Sequence, residues 1–523
     1  MSSGSTIIRS KFKNILSIII LFGVLALPTK ALATAYYVSN SGSDSKDGKS
    51  EATAWATVSK INSSSFSAGD KILFKNGNSW NSSTLTITSS GSGVGNEITI
   101  SNYGTGSSPV ISSPSGPGIK INNKKYIILD GINCQNTTDR GIEITDSSYI
   151  TLRNIYITKI NTDSGAITLL ESADNGLTHD ILVEDFQIVG GGSMGWGFSG
   201  SPYPIKNIII RRGTIDGVGQ AGGQQKHGIY MTNWQNFLVE DLVINDSYNM
   251  GIKMVGTTQD GVIRRVTIKN SGLRNGTNSS GPGVGLGDGG DNINRITFEN
   301  NVMYGNYHPA INGYSDANNI TINHNTFYNN LNGVWVVAGG TGWVVTNNIT
   351  VQDYSFTNSM SKMPLNLAGT DADISNNTFK NNIWLYTNGT STLNPVRIGT
   401  TTYSLSSWQA KSGSPDLGSL SIDPKFVSPS TGDFHLQSSS AGCKSDGTYI
   451  GAFPCAISSS PSPSPSAKPG DANNNGIVDG VDYVIWLNHY KQTLTGGPSV
   501  GDFNASGTVD GVDYVIWLNN YKK

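Results

Sequence analysis

The sequence predicts an all-β solenoid followed by a small all-α module, and three observations lead to this prediction. Charged residues make up only 14% of the 523 residues, whereas an average soluble domain has roughly 25%. Glycine is abundant, at 63 residues, and short strands and turns recur along the chain. Turns need Gly, Asn and Ser, so this composition suits many short strands. The net charge of −2 argues against nucleic acid as a partner, which would require a basic surface.

The first residues are typical of an export signal. The basic stretch Arg9–Lys13 precedes an apolar run from Ile15 to Leu27, and Ala31-Leu32-Ala33 fits the pattern of a cleavage site. Residues 1–33 are therefore predicted to be a signal peptide that is removed on export. We expect a secreted, extracellular protein without a membrane span after cleavage, and attachment to a cell surface stays open. The alternative is an uncleaved anchor, but the apolar run is short for a span.

The segment that begins at Tyr36 predicts a cap for one open end of the solenoid. It starts with a strand and a turn rich in Gly, Asp and Ser. A short helix near Trp55–Ile61 and a strand around Lys71–Lys75 follow. Together with the repeats that come after it, this cap belongs to a predicted domain over residues 34–455.

A repeated unit occupies the chain from about Lys125 to Asn388, with a coil of very roughly 20 to 30 residues. Each unit has an alternating strand, then polar residues, then a second strand led by Gly. This second strand occurs in Arg140–Ile144, His227–Met231, Met250–Met254 and Asn332–Val336. A period of this length predicts a solenoid in which each coil buries its apolar face on its neighbours.

Pairs of Asn recur at the predicted turns of these units. They are Asn300-Asn301, Asn329-Asn330, Asn347-Asn348, Asn376-Asn377 and Asn381-Asn382. Stacked Asn side chains can form hydrogen bonds along a column, so the pairs predict Asn ladders that need no catalytic role.

These repeats, with the opening YYVSNSGSDSKDG at Tyr36 and the closing WQAKSGSPDLGSLSIDPKFVSPSTGDFHLQ at Trp408, resemble the right-handed parallel β-helix of the pectate-lyase-like superfamily. The resemblance covers most of residues 36–455 and implies a carbohydrate-active protein. It is specific for the fold and weak for the reaction, because the fold hosts lyases, hydrolases, epimerases and binding proteins.

Residues 456–469, AISSSPSPSPSAKP, form a Pro/Ser-rich linker. Alternating Pro favours an extended, semi-rigid spacer between two bodies. Just before the linker, Cys443 and Cys455 lie close enough in sequence to pair after export. Their pairing would leave Cys134 alone, as a buried thiol.

The segment from 470 to 523 contains a duplication, GDANNNGIVDGVDYVIWLNHY and GDFNASGTVDGVDYVIWLNNY, with equivalent residues 31 positions apart, as in Asp471 and Asp502. Each copy places oxygen-bearing residues at positions 1, 3, 5, 7, 9 and 12 of a loop, the spacing that wraps a short loop around calcium. The predicted ligands are Asp471, Asn473, Asn475, Ile477 (through its carbonyl), Asp479 and Asp482 in the first loop, and Asp502, Asn504, Ser506, Thr508 (through its carbonyl), Asp510 and Asp513 in the second. A helix with one apolar face is predicted after each loop.

Each copy resembles a repeat of the type I dockerin family, a shortened relative of the EF-hand. The resemblance implies two calcium ions and docking into a cohesin-type domain of a scaffold or cell-surface protein. Gly480-Val481 and Gly511-Val512 stand where the family has its partner-selecting pair, and they depart from the usual residues. The alternative is a calcium module that only stabilises the chain. A further calcium site in the β-helix cannot be placed from spacing.

Alignment of the Gly-led strands predicts a surface column on the solenoid, because equivalent residues of successive coils stack roughly 4.8 Å apart. The column contains Glu143, Tyr230, Lys253, Asn312 and Trp335. These residues are candidates for substrate binding, with Tyr230 and Trp335 stacking on sugar rings; Lys253 is also a catalytic candidate. His227, which precedes a turn Gly, is predicted to lie exposed at the rim, with Asp288 and His308 nearby.

Two chemistries fit these candidates. A lyase needs a base that removes the proton α to a uronate carboxylate, and Lys253 would serve, assisted by His227 and Tyr230. A hydrolase needs two carboxylates flanking the glycosidic bond, and Asp288 with Asp291 or Asp316 would serve. His308 is a further catalytic candidate, and either Arg264 or Arg265 could face the groove and bind acidic sugars. The ordinary alternatives are a solvated strand lysine and turn-capping aspartates.

The preferred prediction is therefore a secreted enzyme that degrades a polysaccharide, as a glycoside hydrolase or a polysaccharide lyase. A calcium-dependent dockerin-like module would attach it to a cohesin-bearing complex or a cell surface. The alternative from another class is a non-catalytic, glycan-binding or adhesive β-helix displayed by the same module. An epimerase stays open.

Overall fold

The computed structural model describes residues 33–160, 165–192, 196–219, 226–272, 281–336, 340–353, 363–369, 375–387, 392–411, 416–455, 468–473, 477–494 and 497–521. The chain divides into two compact units, Met1–Cys455 and Ala456–Lys523. The predicted signal peptide as far as residue 32, and residues 456–467 of the predicted linker, lie outside the described residues. No helix in the described ranges is long and apolar enough to cross a membrane.

Short strands make up most of the first unit. In chain order they are β1 (Ala35–Val38), β2 (Lys71–Lys75), β3 (Ser79–Trp80), β4 (Leu85–Thr86), β5 (Ile98–Tyr103), β6 (Val110–Ile111), β7 (Ile119–Asn122), β8 (Lys125–Asp130), β9 (Asn133–Gln135), β10 (Ile142–Thr145), β11 (Ser148–Ile160), β12 (Gly165–Leu170), β13 (His179–Gly192), β14 (Trp196–Ser199), β15 (Ile205–Asp216), β16 (Ile229–Thr232), β17 (Trp234–Asn245), β18 (Ile252–Val255), β19 (Gln259–Arg264), β20 (Thr267–Lys269), β21 (Val284–Leu286), β22 (Ile293–Glu299), β23 (Val302–Tyr304), β24 (Ile311–Gly313), β25 (Ala317–Asn323), β26 (Thr326–Tyr328), β27 (Val334–Val336), β28 (Val344–Thr346), β29 (Ile349–Asp353), β30 (Leu365–Leu367), β31 (Thr378–Lys380), β32 (Ile383–Thr387), β33 (Val396–Ile398), β34 (Thr401–Tyr403), β35 (Phe426–Ser428) and β36 (Asp433–Leu436).

The described residues also contain four α-helices, two in each unit. They are α1 (Val58–Asn62), α2 (Leu405–Gln409), α3 (Gly480–His489) and α4 (Gly511–Asn520). Short 3-10 helices span Glu51–Thr53, Pro429–Thr431 and Gly497–Val500.

The strands form a parallel β-helix, in which each coil contributes a strand to each face. One 13-stranded sheet runs in the order β34-β33-β30-β27-β24-β21-β18-β16-β14-β12-β10-β7-β4, and a 21-stranded sheet contains β1 to β3 and most of the remaining strands. Pairing is parallel throughout both sheets except between β33 and β34. The predicted β solenoid is therefore confirmed. In the segment predicted to be a cap, β1 and β2 match the predicted strands, and α1 begins at Val58, slightly later than the predicted helix.

The core consists of aliphatic columns that run along the solenoid. In the 13-stranded sheet one such column is fully buried: Ile119, Ile142, Ile167, Phe198, Ile229, Ile252, Val284, Ile311, Val334, Leu365 and Val396. β-Branched side chains pack well on the pleated surface of a neighbouring strand. The alternation of buried and outward residues then determines which side chains can reach a ligand.

Buried Asn ladders connect the later coils, as predicted. Asn301, Asn325, Asn348 and Asn382 stand in one column, and each Nδ2 donates to the next Oδ1 over 2.9 to 3.1 Å. A second ladder pairs Asn306 with Asn330. Each residue before the first ladder's Asn has a positive φ of 54 to 56°, at Asn300, His324, Asn347 and Asn381. The Asn pairs thus combine a left-handed corner residue with a buried hydrogen-bonding one.

We expect the change Asn325→Ala to lower the free energy of unfolding of the β-helix by about 3 kcal/mol, because it leaves several buried partners unpaired. Those partners include the Asn301 amide, the Asn348 oxygen and the Phe298 carbonyl. Urea unfolding followed by tryptophan fluorescence measures the shift. Asn394→Ala, at an exposed position, is the control and should leave the midpoint unchanged. Equal midpoints for the two variants would contradict the ladder's contribution.

The end of the first unit folds back along the outside of the 21-stranded sheet. Phe434, Leu436 and Ile450 pack there against Ile349 and Ile383. A disulfide joins Cys443 to Cys455, and Cys134 is a free, buried thiol. The pairing that the sequence left open is therefore formed, and this disulfide closes the returning segment.

A buried carboxylate stabilises the segment that follows the last parallel strand, from Thr401 to Cys455, which we call the C-terminal cap. The indole Nε1 groups of Trp384 and Trp408 both donate to Asp416 Oδ2, at 3.0 and 2.8 Å, and Ser419 donates to its other oxygen. Burial raises the pKa of Asp416, against the lowering effect of these hydrogen bonds. The folded cap thus favours a protonated Asp416 more than the unfolded chain does.

This raised pKa predicts a pH-dependent stability. Because the folded pKa lies above the ordinary value of 3.8, the stabilising contribution of Asp416 is complete at lower pH and is lost as the pH rises through the folded pKa. We expect Asp416→Asn to remove this dependence, since an amide oxygen still accepts both indole N–H groups. The measurement is the Tm of both proteins from pH 3.5 upward, with Asp423→Asn, exposed in the same cap, as the control. Parallel curves for wild type and Asp416→Asn would refute the prediction.

The second unit contains two equivalent halves. The indole of Trp486, in α3, donates to the carbonyl of Asp510 at 2.9 Å, and Trp517, in α4, donates to the carbonyl of Asp479 at 2.8 Å. Asp479 and Asp510 cap α3 and α4, each accepting from a backbone N–H two residues on. Each helix therefore anchors its Trp on the residue that caps the other helix.

Candidate functional site

The predicted column is a single row of residues in the 13-stranded sheet. The middle residues of successive strands stand in register as Lys120, Glu143, Thr168, Tyr230, Lys253, Gly285, Asn312, Trp335, Asn366 and Arg397, with β14 between Thr168 and Tyr230. We call these residues the polar row. It faces away from the aliphatic core, since each residue alternates with two core positions along its strand.

Much of the polar row is covered, which the sequence analysis did not predict. Lys253 is only 2% exposed, and Glu143, Asn312 and Asn366 are also buried. His227, predicted to be exposed because it precedes a turn Gly, is likewise only 2% exposed, so that prediction is wrong. Nor is Lys253 an ordinary solvated lysine. Burial of an ammonium group is costly unless it is paired and hydrogen-bonded.

Lys253 reaches from its own coil into the next. Its Nζ donates to the carbonyl of Gly287 at 2.6 Å and forms an ion pair with Asp288. It also lies 5.5 Å from the ring centroid of Tyr314. The side chain passes beside Gly285, where a Cβ would stand 3.4 Å from Lys253 Cδ and 2.6 Å from Met250 Sδ. The absence of a side chain at Gly285 therefore leaves the space that this crossing needs.

His227 and Tyr230 lie next to Lys253. Together with Lys253, Asp288 and Tyr314 they form one cluster. Their rings stack with centroids 5.4 Å apart, and the backbone N–H of Met250 donates to His227 Nδ1 at 3.3 Å. Burial, and secondarily the charge of Lys253, lowers the pKa of His227 to about 3. The imidazole is therefore neutral at ordinary pH, and its proton lies on Nε2. Burial and the charge of Asp288 raise the pKa of Tyr230 and of Tyr314, so both phenols stay protonated.

Asp288 is the exposed carboxylate of the cluster, with 59% of its side chain accessible. The turn that carries it is held by two other carboxylates. Asp291 accepts from the N–H groups of Gly256 and Asp288, at 2.7 and 2.8 Å. Asp316 Oδ2 accepts from Gly289 and Asp291, at 3.1 and 2.7 Å. Asp291 thus shapes the turn with both of its oxygens, while Asp316 Oδ1 has no hydrogen-bond partner in the described parts of the chain.

Three predicted site residues stand apart from this cluster. Glu143 lies four coils from Lys253, roughly 19 Å along the axis, and is paired with Lys120 and Arg140 at 3.0 Å each. Trp335 lies three coils beyond Lys253 in the other direction. His308 lies two coils beyond Lys253 and contacts the ring of Tyr307.

Tyr314 was missed by the sequence analysis. It stands two residues after Asn312, just beyond β24, in the coil that follows Gly285. Residues two apart along a strand share a face, so a search for aromatic residues beside the polar row would have found it.

Arg264 and Arg265 do not face this site, contrary to the prediction for one of them. They lie at the end of β19 in the other sheet and pair with Glu240 and Asp241 at 2.7 to 2.8 Å. Charges alternate in register along that sheet as Asp130, Arg153, Glu184, Arg211, Glu240, Arg264 and Glu299. Each of these arginines therefore forms ion pairs with acidic residues of adjacent coils.

The second unit holds the predicted calcium ligands in two loops. Asp482, Asp502 and Asp513 are at most 1% exposed. Backbone N–H groups donate to all three, including those of Asn473, Gly507 and Asn504 respectively. Of the predicted ligands, Asn475 lies outside the described residues.

The negative charge buried in these loops bears on whether they bind calcium. None of the three buried carboxylates forms an ion pair with a Lys, Arg or His that the structure describes. Buried carboxylates without a cationic side-chain partner fit a cation bound by the loop. Within the same described ranges, no group of three or more His, Cys, Asp or Glu side chains is arranged to hold a metal. The loops would therefore also have to use the Asn, Ser and carbonyl oxygens of the predicted set.

Comparisons with known proteins agree with the coil architecture. A family model described as "Right handed beta helix region" matches residues 178–379. No protein of curated function matches the chain.

Among solved structures, the chain is similar to a GH136 lacto-N-biosidase from Eubacterium ramulus, at 15% identity and a TM-score of 0.49, covering 60% of this chain and 64% of that one. It is also similar to an alginate lyase from Paenibacillus sp. str. FPU-7, at 16% identity and a TM-score of 0.41, covering 62% and 97%. The pectate lyase Pel9A matches at 15% identity and a TM-score of 0.45, covering 81% and 96%. The family match, together with the parallel coils, confirms that this chain contains a right-handed parallel β-helix.

Proposed function

We propose that this protein is a secreted enzyme that degrades a polysaccharide, with its catalytic centre at Lys253 and Asp288. The observation that carries the proposal is the buried Lys253 ammonium, held on the outer face of a sheet against one exposed carboxylate. Desolvating an ion pair costs free energy that a fold rarely recovers. Groups arranged in this way are candidates for a functional site.

The fold itself does not require this pair. Other positions of the polar row are filled by Thr168, Gly285 and Trp335, so neutral residues satisfy the same place in the sheet. The ion pair is also one member of a larger group, since His227, Tyr230 and Tyr314 all lie against it. A neutral imidazole, two protonated phenols and an exposed carboxylate can together bind hydroxyl groups and transfer protons.

The length of the polar row suits a polymer. Each coil adds roughly 4.8 Å along the axis, and the row continues from Lys253 through Asn312 and Trp335 to Asn366. Lys253, Asn312 and Asn366 are buried, so an extended sugar chain would contact this row through its half-buried aromatic residues, Tyr230 and Trp335. Export of the enzyme is consistent with the disulfide Cys443–Cys455, because disulfides persist in oxidising compartments.

The second unit serves, in this proposal, as a dockerin-like module that binds two calcium ions. The buried Asp482 and Asp513 at the ends of the two loops support this role. Each helix also leaves an apolar ridge about half exposed: Val481, Val484 and Leu487 on α3, and Val512, Val515 and Leu518 on α4. Exposed apolar patches mark surfaces that bind a partner. A cohesin-type domain on a scaffold or cell surface is the proposed partner.

The test is an activity survey of the mature chain, residues 34–523, with calcium present. Neutral and uronate-containing polysaccharides are offered, and reducing ends and unsaturated-uronate absorbance are recorded in parallel. Release of product from any polymer supports the proposal. Retention on a polysaccharide without any release would instead favour the non-catalytic, adhesive alternative. The comparison variant is Asp174→Asn, which changes an exposed carboxylate outside the site.

A further inference from the structure

We propose, building on the enzyme function above, that the substrate is an uncharged glycan and that the reaction is hydrolysis. The site presents negative charge and uncharged hydrogen-bonding groups to a ligand. These features favour hydrolysis over the elimination that a lyase performs.

Among the described residues, the accessible charge of the cluster is negative. Three carboxylates, Asp288, Asp291 and Asp316, surround the turn after β21, and Asp288 is the one most open to solvent. The cation of the cluster, Lys253, is buried and engaged with Gly287 and Asp288. Lys226, beside His227, is 3% exposed, so it offers a ligand no accessible ammonium group. A uronate or sulfate group would therefore meet like charge, which weakens its binding.

The remaining groups of the site are polar and uncharged. Tyr230 and Tyr314 are protonated phenols, and His227 is a neutral imidazole. In two adjacent coils of the row, the buried atoms Asn312 Oδ1 and Trp335 Nε1 have no hydrogen-bond partner in the described part of the chain. One atom accepts and the other donates. Sugar hydroxyl groups do both, but the two atoms are shielded from solvent, so a neutral sugar reaches them only after the side chains that cover them move.

The elimination reaction of a lyase does not suit the charges around Asp288. It requires a substrate carboxylate, whose charge must be neutralised while a base removes the neighbouring proton. The exposed charge of the cluster, Asp288, is negative instead. Lys253, the candidate base, is already donating to two acceptors.

Hydrolysis needs two carboxyl groups on either side of the bond. Asp288 is exposed and can contact substrate. We assign the second role to Asp316, whose Oδ1 is shielded from solvent in this structure and has no hydrogen-bond partner among the described residues. The bond between the anomeric carbon and the bridging oxygen breaks. Water supplies a hydroxyl group to that carbon, and a proton goes to the bridging oxygen. No atom is oxidised or reduced over the whole reaction.

The experiment measures binding and products separately. Calorimetric titration of the mature wild type, at a low temperature where cleavage is slow, compares the affinities for neutral oligosaccharides (from glucan, xylan, mannan and galactan) with those for oligogalacturonates and oligoalginates. Each titration is run with calcium and with excess chelator. We expect at least one neutral series to bind about 100-fold more tightly than any uronate series. That affinity should change little between 50 and 500 mM salt, because no ion pair forms with an uncharged ligand. The wild type should then release reducing ends from the same neutral polymer, without unsaturated products.

Two results would overturn the inference. One is tighter binding of a uronate series, and the other is an unsaturated product from an acidic polymer. Both would leave polysaccharide degradation itself intact. Absence of cleavage of every polymer by the wild type would instead overturn the proposed enzyme function.

Discussion

Replacing Asp288 with Asn is expected to lower kcat by about a thousandfold, which is within the range for loss of a positioned acid or base. Asn keeps the size of the side chain and can still accept a hydrogen bond from Lys253 Nζ through its amide oxygen. The change removes only the carboxylate that is both exposed and paired with the buried lysine. KM should change little if the interaction is formed mainly in the transition state. Steady-state kinetics on the polymer identified by the activity survey measures both constants.

The matched control is Asp174→Asn, since Asp174 is exposed and lies outside the cluster. It should leave kcat unchanged. Circular dichroism and the Tm should be the same for both variants and the wild type. Activity of Asp288→Asn close to that of Asp174→Asn would remove Asp288 from the mechanism.

A second variant tests whether Asp288 and Lys253 act as a unit. Lys253→Met removes the ammonium group and retains an unbranched side chain beside Gly285. If the ion pair functions as one group, the double variant Lys253→Met/Asp288→Asn should lose about as much activity as the worse single variant. Losses that multiply would show that the two residues act independently.

Removal of calcium is expected to unfold the second unit and leave the β-helix folded. Loops that bind calcium are rarely preformed in an unfolded chain, so the free energy of metal binding contributes to folding. Without the ion, the buried carboxylates Asp482 and Asp513 would repel the other acidic groups of their loops. In excess chelator, calorimetry of the whole mature chain should lose one of its transitions and retain the larger one. Far-ultraviolet circular dichroism should lose the signal of α3 and α4.

The double variant Asp482→Asn/Asp513→Asn should reproduce the effect of the chelator in the presence of calcium. Asn488→Ala, at an exposed position on α3, is its control and should behave as wild type. Capture by a cohesin-type domain should disappear together with the calorimetric transition. Unchanged helicity of the wild type in excess chelator would contradict the calcium prediction.

The fold could be predicted from the sequence because its rules are local and repeated. A Gly-led strand such as Met250–Met254 carries the same alternation in many coils, so stacking follows from a single pattern. The Asn ladders were predictable for the same reason, since Asn347-Asn348 and Asn381-Asn382 repeat the corner and its buried neighbour. The register also placed Tyr230, Lys253 and Asn312 in one row.

The candidate site was predictable only in part. Periodicity indicates that Lys253 points away from the core, but not that its surroundings bury it. The exposure of His227 was mispredicted for this reason. Contacts between coils also depend on coil length, which varies. Lys253 pairs with Asp288, 35 residues later, while Arg264 pairs with Glu240, 24 residues earlier.

The sequence by itself determined the stacked β architecture, the position of the polar row and the duplication after the linker. Each of these features follows from a short residue pattern that repeats along the chain. Only the tertiary structure decided the state of the groups in that row. His227 is buried, and its imidazole is therefore neutral. Lys253 extends past Gly285 and pairs with Asp288. Arg264 and Arg265 form ion pairs with acidic residues on another face. The physical reason is that burial and ion pairing depend on atoms contributed by neighbouring coils, whose positions no single repeat contains.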